Sequence, residues 1–301
     1  MKKTYRQCYA WGQEVLAGAG IADARIDARL LLEYIFHTSQ HDLILHGDRL
    51  VTEAEQADYE DCILKRSMRI PLQHITGEQA FMGFDFQVNE HVLIPRQDTE
   101  ILVETALGIL KPGMRVLDMC TGSGCILLSL LALAGGCTGC AESAKAAVTG
   151  IGVDISAEAL KVARRNLEYV SVQCGRRLEA EFVESDLFTA FTNHKVCFDI
   201  IVSNPPYIAS EVIKTLEPEV RLHEPLSALD GTADGLYFYR HIVAESKSFL
   251  KKGGALLFEI GHDQGESVAE LMKEAGFTFV AVKKDYAGLD RVVYGIYEEE
   301  A

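Results

Sequence analysis

The residues of this chain with the clearest chemical capability form the segment Asn204-Pro205-Pro206-Tyr207, directly after the apolar run Phe198 to Val202. The run is typical of a buried strand, and two prolines can neither donate to a sheet ladder nor continue a helix. The backbone therefore leaves the sheet in a fixed direction after Asn204. An amide beside an aromatic plane is suited to holding another planar N–H group. The alternative is an ordinary strand-ending turn, because Pro and Asn are common turn residues.

A glycine turn follows an earlier strand, in the sequence Asp118-Met119-Cys120-Thr121-Gly122-Ser123-Gly124. Glycines let a ligand approach the backbone closely, and the start of the next helix offers free N–H groups. The turn lacks the third glycine of dinucleotide-binding sequences, and an acid before it disfavours a pyrophosphate. A positively charged ligand is preferred, and S-adenosylmethionine carries both a sulfonium and an ammonium. Asp118 can also anchor the loop, and the two roles are compatible.

Two further acids lie where strands of the same region end. Asp154 ends the second strand, where a carboxylate can accept both hydroxyls of a ribose. Asp186 and Leu187 follow the third strand, where an acid and an apolar side chain can hold an adenine by its amino group and one face. Ligands of open parallel sheets sit outside the carboxyl ends of the strands. The sequence therefore predicts one nucleotide-like site there.

The elements that must position these residues begin at Lys111, where strands and helices alternate along the chain. This alternation predicts a Rossmann-like, doubly wound α/β sheet that is mostly parallel. The last two strands, Thr278 to Lys283 and Arg291 to Tyr297, are separated by a short loop at Gly288. A loop that short requires an antiparallel pair, so the last strand is expected to be reversed. The stretch Gly135 to Gly150 is interpreted as an extended loop.

Polar residues at several predicted helix starts are candidate N-caps, among them Ser156, which precedes a helical stretch through about Glu168. Thr4, Asp23 and Thr52 lie within residues 1–72, whose apolar periodicity predicts an N-terminal helical bundle, and Asp98 precedes a later helical stretch. A separate helical module of this kind can dock a substrate or act as a purely structural cap, and composition does not separate the two.

Residues 73–95 predict a β-hairpin that connects this bundle to the domain at residues 96–301. Its strands are expected at Phe84 to Val88 and His91 to Ile94, on either side of a turn at Asn89-Glu90, because the first run alternates with a period of two.

The net charge and the apolar content of the sequence limit which partners and which location are expected for this protein. The chain has 301 residues and a net charge of −15, with 44 acidic and 29 basic residues. A surface this acidic repels phosphate backbones, so direct nucleic-acid binding is not expected. The sequence has no signal peptide and no apolar run long enough to span a bilayer. We therefore expect a cytoplasmic protein that acts as a monomer and has no membrane partner.

The eight cysteines are scattered through a large chain without a signal sequence, which predicts reduced thiols. Cys137 and Cys140 form a Cys-x-x-Cys pair. A zinc site would need a second pair, or histidines, at matching spacing, and none is evident. No metal is predicted.

Taken together, the motifs resemble those of class I S-adenosylmethionine-dependent methyltransferases. More narrowly, they resemble the family that methylates a glutamine side chain of peptide-chain release factors, the HemK or PrmC family. The motifs are the glycine turn, Ile94-Pro95-Arg96-Gln97-Asp98-Thr99-Glu100, Ser203-Asn204-Pro205-Pro206-Tyr207, Glu224-Pro225 and Ala228-Leu229-Asp230-Gly231. The resemblance covers nearly the whole chain. The chain departs from the family at Cys120, where glycine is common, at Gln97, where proline is common, and at Leu187, where an aromatic residue can occur.

The resemblance implies methyl transfer from S-adenosylmethionine to the side-chain amide nitrogen of the glutamine in the Gly-Gly-Gln motif of release factors. Asn204 would accept one amide N–H and the Pro205 carbonyl the other, while Tyr207 packs on the amide plane and Pro206 adds to the substrate contact. Holding both protons aims the nitrogen lone pair at the methyl group. The implied cofactor-binding residues are Asp118, Cys120, Thr121, Gly122, Ser123, Gly124, Asp154, Asp186, Leu187 and Asn204.

Two other functions remain open at this point. An amino methyltransferase acting on an adenine or guanine base would use the same Asn-Pro-Pro-Tyr segment on a flipped base. It predicts a basic face, which the net charge of −15 disfavours. A non-catalytic binding protein could retain the fold as a scaffold, which the intact Asn204 and glycine turn disfavour.

Overall fold

A computed structural model of the chain describes residues 3–134, 147–192 and 196–298. Most of the loop predicted at Gly135 to Gly150, including Cys137 and Cys140, lies outside these residues. The described residues form twelve α-helices and nine β-strands. The helices are α1 (Tyr5–Gly18), α2 (Ala24–Phe36), α3 (Gln40–Leu45), α4 (Glu53–Ser67), α5 (Leu72–Thr76), α6 (Glu100–Ile109), α7 (Cys125–Leu133), α8 (Ala157–Gln173), α9 (Ser210–Ile213), α10 (Pro218–His223), α11 (Tyr237–Ser246) and α12 (Gly265–Glu274). The strands are β1 (Glu78–Phe81), β2 (Phe84–Gln87), β3 (Arg115–Met119), β4 (Thr149–Asp154), β5 (Ala180–Glu184), β6 (Phe198–Ser203), β7 (Leu250–Glu259), β8 (Phe277–Lys284) and β9 (Asp290–Tyr297).

The chain divides into two compact units. The first comprises the chain up to Glu78 together with Glu217–His223, and the second comprises the rest. The first unit is the predicted helical bundle, and it buries the rings of Tyr5 and Tyr59 completely or nearly so. Helix α10, although it lies far along the chain, belongs to this unit. Within it, Arg66 is buried and pairs with Asp27 at 2.7 Å and with Glu219 on α10 at 2.9 Å.

Two predicted N-caps of this unit differ in what their side chains do. The Thr52 hydroxyl accepts from the N–H of Glu55, whose carboxylate accepts in return from the N–H of Thr52. Asp23 occupies the N-cap position of α2 but makes no capping hydrogen bond.

We expect Thr52→Ala to lower the free energy of unfolding by about 1 kcal/mol, measured by urea denaturation. Asp23→Ala is the matched control, and an equal loss in both variants would contradict this assignment.

The predicted hairpin is present, but its predicted turn was wrong. The strands are β1 and β2, joined at Met82-Gly83, and not the two runs on either side of Asn89-Glu90. Met82 has φ 52° and Gly83 has φ 81°. A two-residue turn with both φ values positive has the backbone twist that matches the right-handed twist of paired strands. The stretch after β2, from Val88 to Arg96, is therefore left free of strand pairing.

The predicted cap at Asp98 was also wrong. Residues Gln97–Thr99 already form a 3₁₀ turn ahead of α6, and the extended residue before that turn is Arg96, with φ −92° and ψ 145°. An N-cap must itself be non-helical, so Asp98 lies inside the turn and not in front of it. Its carboxylate instead pairs with Nη2 of Arg291 at 3.1 Å.

The second unit contains a seven-stranded sheet with the order β5-β4-β3-β6-β7-β9-β8. Strands β3 to β7 pair in parallel, whereas β9 is antiparallel to both of its neighbours. The prediction of a mostly parallel, doubly wound sheet with a reversed last strand is confirmed. None of the helices in the described residues is long and apolar enough to cross a membrane.

Helices cover both faces of this sheet. Alternate residues of the central strands, such as Val116 and Val202, pack with α6, α7 and α8, and the intervening ones, such as Leu117 and Ile201, pack with α11 and α12. Since side chains alternate across a strand, burial on both faces explains the continuous apolar runs of these strands. Polar groups are thereby confined to the ends of the strands, where the site forms.

Candidate active site

The glycine turn and the Asn204 segment lie next to each other because β3 and β6 are neighbours. Their register pairs Met119 with Ser203, the last residue of each strand. The hydroxyl of Ser203 donates to the Met119 carbonyl oxygen at 2.7 Å. Strands β3 and β6 therefore end at the same level of the sheet. The glycine turn and the Asn204 segment lie at the same edge, as predicted.

The glycine turn has an unusual backbone. Cys120, Gly122 and Gly124 have φ values of 60°, 54° and 81°. Left-handed backbone suits glycine and strains other L-residues, so Cys120 carries a strain that a glycine at this position would avoid. A Cβ at Gly122 would meet no atom of the described residues within 4 Å. The turn is therefore open on this side to a ligand.

Asp118 supports the turn from beneath. It is fully buried, and its Oδ2 accepts from the Thr121 hydroxyl at 2.6 Å and from the N–H of Leu127 at 3.3 Å. Burial raises the pKa of Asp118 to about 7 despite these hydrogen bonds. Asp118 does not line the cavity described below. The structure therefore places it in the loop-anchoring role.

Asp154 is the last residue of β4, and Asp186 lies just beyond the end of β5. The two carboxylate oxygens of Asp154 accept from the N–H groups of Gly122 and Ser156, both at 2.9 Å. Burial raises the pKa of Asp154 although these donors oppose it. Asp186 is exposed. Both acids line the cavity, and Leu187 lines it beside them.

Asn204 is half-buried at the end of β6. Its Nδ2 donates to the hydroxyl oxygen of Thr99 at 3.4 Å. Among the described residues no hydrogen bond to its Oδ1 occurs, and the side chain lines the cavity. An amide whose nitrogen is occupied on one side presents its acceptor on the other. The geometry thus provides a hydrogen-bond acceptor at the cavity edge.

The backbone of Tyr207 is held by the loop that includes Gly231, the last residue of the Ala228-Leu229-Asp230-Gly231 motif. Cβ atoms at Gly231 and Gly235 would lie 2.8 Å and 2.3 Å from Tyr207 backbone atoms, so only glycine permits this approach. The Tyr207 carbonyl accepts from Nε2 of Gln264 at 3.0 Å. Burial raises the pKa of the Tyr207 phenol above its ordinary range, so the hydroxyl stays protonated. The loop at Gly231–Gly235 and the side chain of Gln264 therefore fix this segment.

A cavity of about 230 Å³ lies at this edge of the sheet, within the second unit. Of the predicted site residues, those that line it are Cys120, Thr121, Gly122, Ser123, Asp154, Asp186, Leu187, Asn204 and Pro206. Asp118, Gly124, Pro205 and Tyr207 do not line it. Further walls come from the stretch His91–Arg96 and from Ile155.

The comparisons with known proteins cover most of the chain. Residues 7–77 match the PrmC N-terminal domain, and residues 110–291 match a methyltransferase domain. The chain is 38% identical over 298 residues to the release factor glutamine methyltransferase of Caulobacter vibrioides, covering 98% of this chain and 97% of that protein. The chain belongs to the release factor glutamine methyltransferase family. A second family member, from Cereibacter sphaeroides, is 42% identical over 279 residues, covering 92% of this chain and 93% of that protein.

A solved structure gives the same picture of the fold. The crystal structure of a methyltransferase from Pyrococcus furiosus aligns with a TM-score of 0.51 at 16% identity, covering 82% of this chain and 100% of that one. At this identity the likeness concerns the fold alone.

In this family member an ion pair beside the cavity joins a buried carboxylate to a partly exposed arginine. Nη2 of Arg96 lies 2.7 Å from each carboxylate oxygen of Glu224, whose side chain is 1% exposed. Burial raises the pKa of Glu224, and Arg96 opposes that rise. Sequence reasoning left Glu224 without a role, because its partner lies 128 positions away in the chain.

We expect Arg96→Met to lower the free energy of unfolding at pH 8 by about 2 kcal/mol. This is less than for a fully buried ion pair, because Arg96 is partly exposed. The variant leaves an unpaired buried carboxylate, and its pKa should rise further. The deficit should therefore shrink as the pH falls and Glu224 becomes protonated. Denaturation at pH 8 and pH 5 measures this, with Arg96→Met/Glu224→Gln as the matched control that regains stability at pH 8. A deficit that stays constant with pH would show that the lost Arg96 packing matters more.

Proposed function

We propose that this protein transfers a methyl group from S-adenosylmethionine to the side-chain amide nitrogen of the glutamine in the Gly-Gly-Gln motif of peptide-chain release factors. The observation that carries the proposal is the side chain of Asn204, which lines a cavity beside the glycine turn while its nitrogen donates to the Thr99 hydroxyl. Relatives named release factor glutamine methyltransferase support the choice of substrate.

The residues of the cavity suit this cofactor. Asp154 and Asp186 contribute negative charge, which favours a cationic ligand, and Ile155 and Leu187 provide apolar walls for an adenine ring. The open side of Gly122 leaves room for close approach to the backbone. When bound, the cofactor supplies an electrophilic methyl group on a positively charged sulfur.

The substrate amide nitrogen is a poor nucleophile because its lone pair is delocalised into the carbonyl group. In our proposal Oδ1 of Asn204 accepts one N–H of the substrate and the Pro205 carbonyl accepts the other, while Tyr207 packs on the amide plane. Holding both protons opposes the delocalisation and aims the lone pair at the methyl group. Alignment of this kind can contribute ~7–11 kcal/mol when the geometry is near ideal. No strong base is needed before attack, and the amide proton is lost to water afterwards.

We assign substrate docking to the first unit, which matches the PrmC N-terminal domain. The second unit carries the candidate catalytic residues. We propose that the protein acts as a monomer in the cytoplasm and meets release factors there, without direct contact to nucleic acid.

Mass spectrometry of a release factor after incubation with the protein and S-adenosylmethionine tests the proposal. We expect one added methyl group on the glutamine of the Gly-Gly-Gln segment, and none with Asn204→Ala. A parallel incubation with labelled methyl donor, RNA and DNA tests the base-methylating alternative. Label in nucleic acid but not in the release factor would overturn the proposal.

A further inference from the structure

A buried asparagine on α8 contacts both the glycine turn and the end of the hairpin. Asn166 is fully buried. Its Nδ2 donates to the Ser123 carbonyl oxygen at 2.9 Å and to the Gln87 carbonyl oxygen at 3.0 Å. Its Oδ1 accepts from the N–H of Gln87 at 2.8 Å. Both donor hydrogens of the amide and its acceptor oxygen are therefore occupied by backbone groups.

The two backbones that Asn166 joins belong to two walls of the cavity. Ser123 lines the cavity within the glycine turn. Gln87 ends β2, and the stretch that follows it supplies a second wall at residues 91–96. Helix α8 also packs on this stretch through a small cluster of buried apolar side chains, formed by Val88, Val92, Ala159 and Val162. One helix thus supports both walls.

The glycine turn approaches α8 closely at the same place. A Cβ at Gly124 would lie 3.3 Å from the Cβ of Ala163, about one turn before Asn166 on the helix. Ser123 is only 2% exposed. A buried carbonyl group that loses its hydrogen-bond donor is costly, so the bond from Asn166 to Ser123 holds the turn against the helix.

We infer that Asn166 is a positioning residue that holds the glycine turn and the stretch at residues 91–96 at the spacing S-adenosylmethionine needs. The inference deepens the proposed function at its cofactor site and rests on that function. Asn166 acts through the two backbones, since it does not itself line the cavity. An amide suits this role because it donates twice and accepts as well, which neither a hydroxyl nor an ionised carboxylate can do.

Gln173, about two turns further along α8, offers a natural comparison. Its Oε1 accepts from the N–H of Asp85 at 2.9 Å, and its Nε2 donates to the Asp85 carbonyl oxygen at 2.8 Å. Gln173 therefore joins α8 to β2 with the same pair of bonds that Asn166 makes at Gln87. Within the described parts of the chain, only Asn166 of these two also bonds to the glycine turn. The difference between the two side chains isolates the contact with Ser123.

Isothermal titration calorimetry with S-adenosylmethionine tests the inference. Asn166→Ala should raise the dissociation constant about 10- to 100-fold, because the Ser123 carbonyl and the Gln87 backbone lose their partner. Gln173→Ala, the matched control, should stay within about twofold of the wild type because Gln173 is exposed. Val170→Ala controls for lost stability. It truncates a buried side chain of the same helix and should keep the wild-type dissociation constant although it unfolds at a lower temperature.

Amide hydrogen exchange of the wild type, followed by NMR, gives a second readout. Gln87 does not line the cavity, but its N–H donates to Asn166, which holds the glycine turn. Adding S-adenosylmethionine should therefore slow exchange of the Gln87 N–H roughly tenfold. The N–H of Asp85, which donates to Gln173, is the internal control and should change by less than about twofold.

The inference is overturned if Asn166→Ala binds S-adenosylmethionine as the wild type does, or if Gln173→Ala or Val170→Ala weakens binding equally. It is also overturned if the cofactor leaves the exchange of the Gln87 N–H unchanged. Should Asn166→Ala fail to fold, this exchange measurement decides, because it uses the wild type. Neither experiment contains a release factor, so failure of the proposed substrate would leave both results unaffected. A wild type that does not bind S-adenosylmethionine would contradict the proposed function and the inference together.

Discussion

Asn204→Ala should lower kcat for release factor methylation by at least about 1000-fold, because the variant loses the acceptor that we propose holds one proton of the substrate amide. The cofactor affinity should change much less. Asn204 lines the cavity at the end of β6, whereas the turn at Gly122 and the carboxylate of Asp154 are held by contacts that do not involve it. Turnover of the variant and of the wild type at saturating cofactor measures the first effect.

Isothermal titration calorimetry with S-adenosylmethionine supplies the control for Asn204→Ala. A dissociation constant close to that of the wild type, together with lost turnover, would place Asn204 at the methyl acceptor. Equal losses in binding and turnover would instead show that Asn204 mainly builds the cofactor pocket, and the proposed mechanism would then be wrong.

Gly235→Ala should lower kcat about 100-fold or more, because it displaces the Tyr207 segment, which we propose contacts the substrate. The added Cβ would lie 2.3 Å from the Tyr207 carbonyl oxygen and 2.7 Å from Nε2 of Gln264. Neither distance is possible between real atoms, so the Tyr207 backbone must shift or lose its hydrogen bond. The φ of 73° adds backbone strain for any residue other than glycine. Together these costs should lower the free energy of unfolding by about 3 kcal/mol.

Gly253→Ala is the matched control for this effect. Gly253 has a φ of 78°, but a Cβ there would meet no atom of the described residues within 4 Å. The control should therefore lose only about 1 kcal/mol of stability through its backbone and should keep the wild-type kcat. Thermal unfolding and steady-state kinetics of both variants separate the effect of backbone strain from the effect of the contact with Tyr207. If both variants lost activity equally, the contact with Tyr207 would not be the cause.

The local backbone of the strands and turns could be predicted because it depends on neighbouring residues. Apolar runs such as Phe198 to Val202 and Arg115 to Met119 predicted the strands to within a residue or two. Thr4 and Thr52 were predicted as N-caps, and in the structure the side chain of each residue caps its helix. Prediction failed at the hairpin, where the period of two in Phe84 to Val88 was correct but did not reveal on which side the partner strand lies.

The prediction of an N-cap at Asp98 failed for a different reason. Its residue type suits an N-cap, but its role depends on where the helical turn begins and on the presence of Arg291, which is distant in sequence. Similarly, the sequence is compatible with Asp118 as a ligand-binding residue and as an anchor of the glycine turn. Its burial and its contacts with Thr121 and Leu127 show the anchoring role, and a role toward the cofactor stays a prediction.

The sequence by itself determined the types of group at the site and the edge of the sheet where they meet. This is because Asn204 and the glycine turn directly follow a strand and Asp154 ends one, and parallel strands end at one edge. Only the tertiary structure decided which side chains hold Asn204 and Tyr207 in place. Thr99 lies 105 positions from Asn204, and Gln264 lies 57 positions from Tyr207. A single sequence carries no local signal for such pairs, since their contact results from the packing of separate elements around the end of β6.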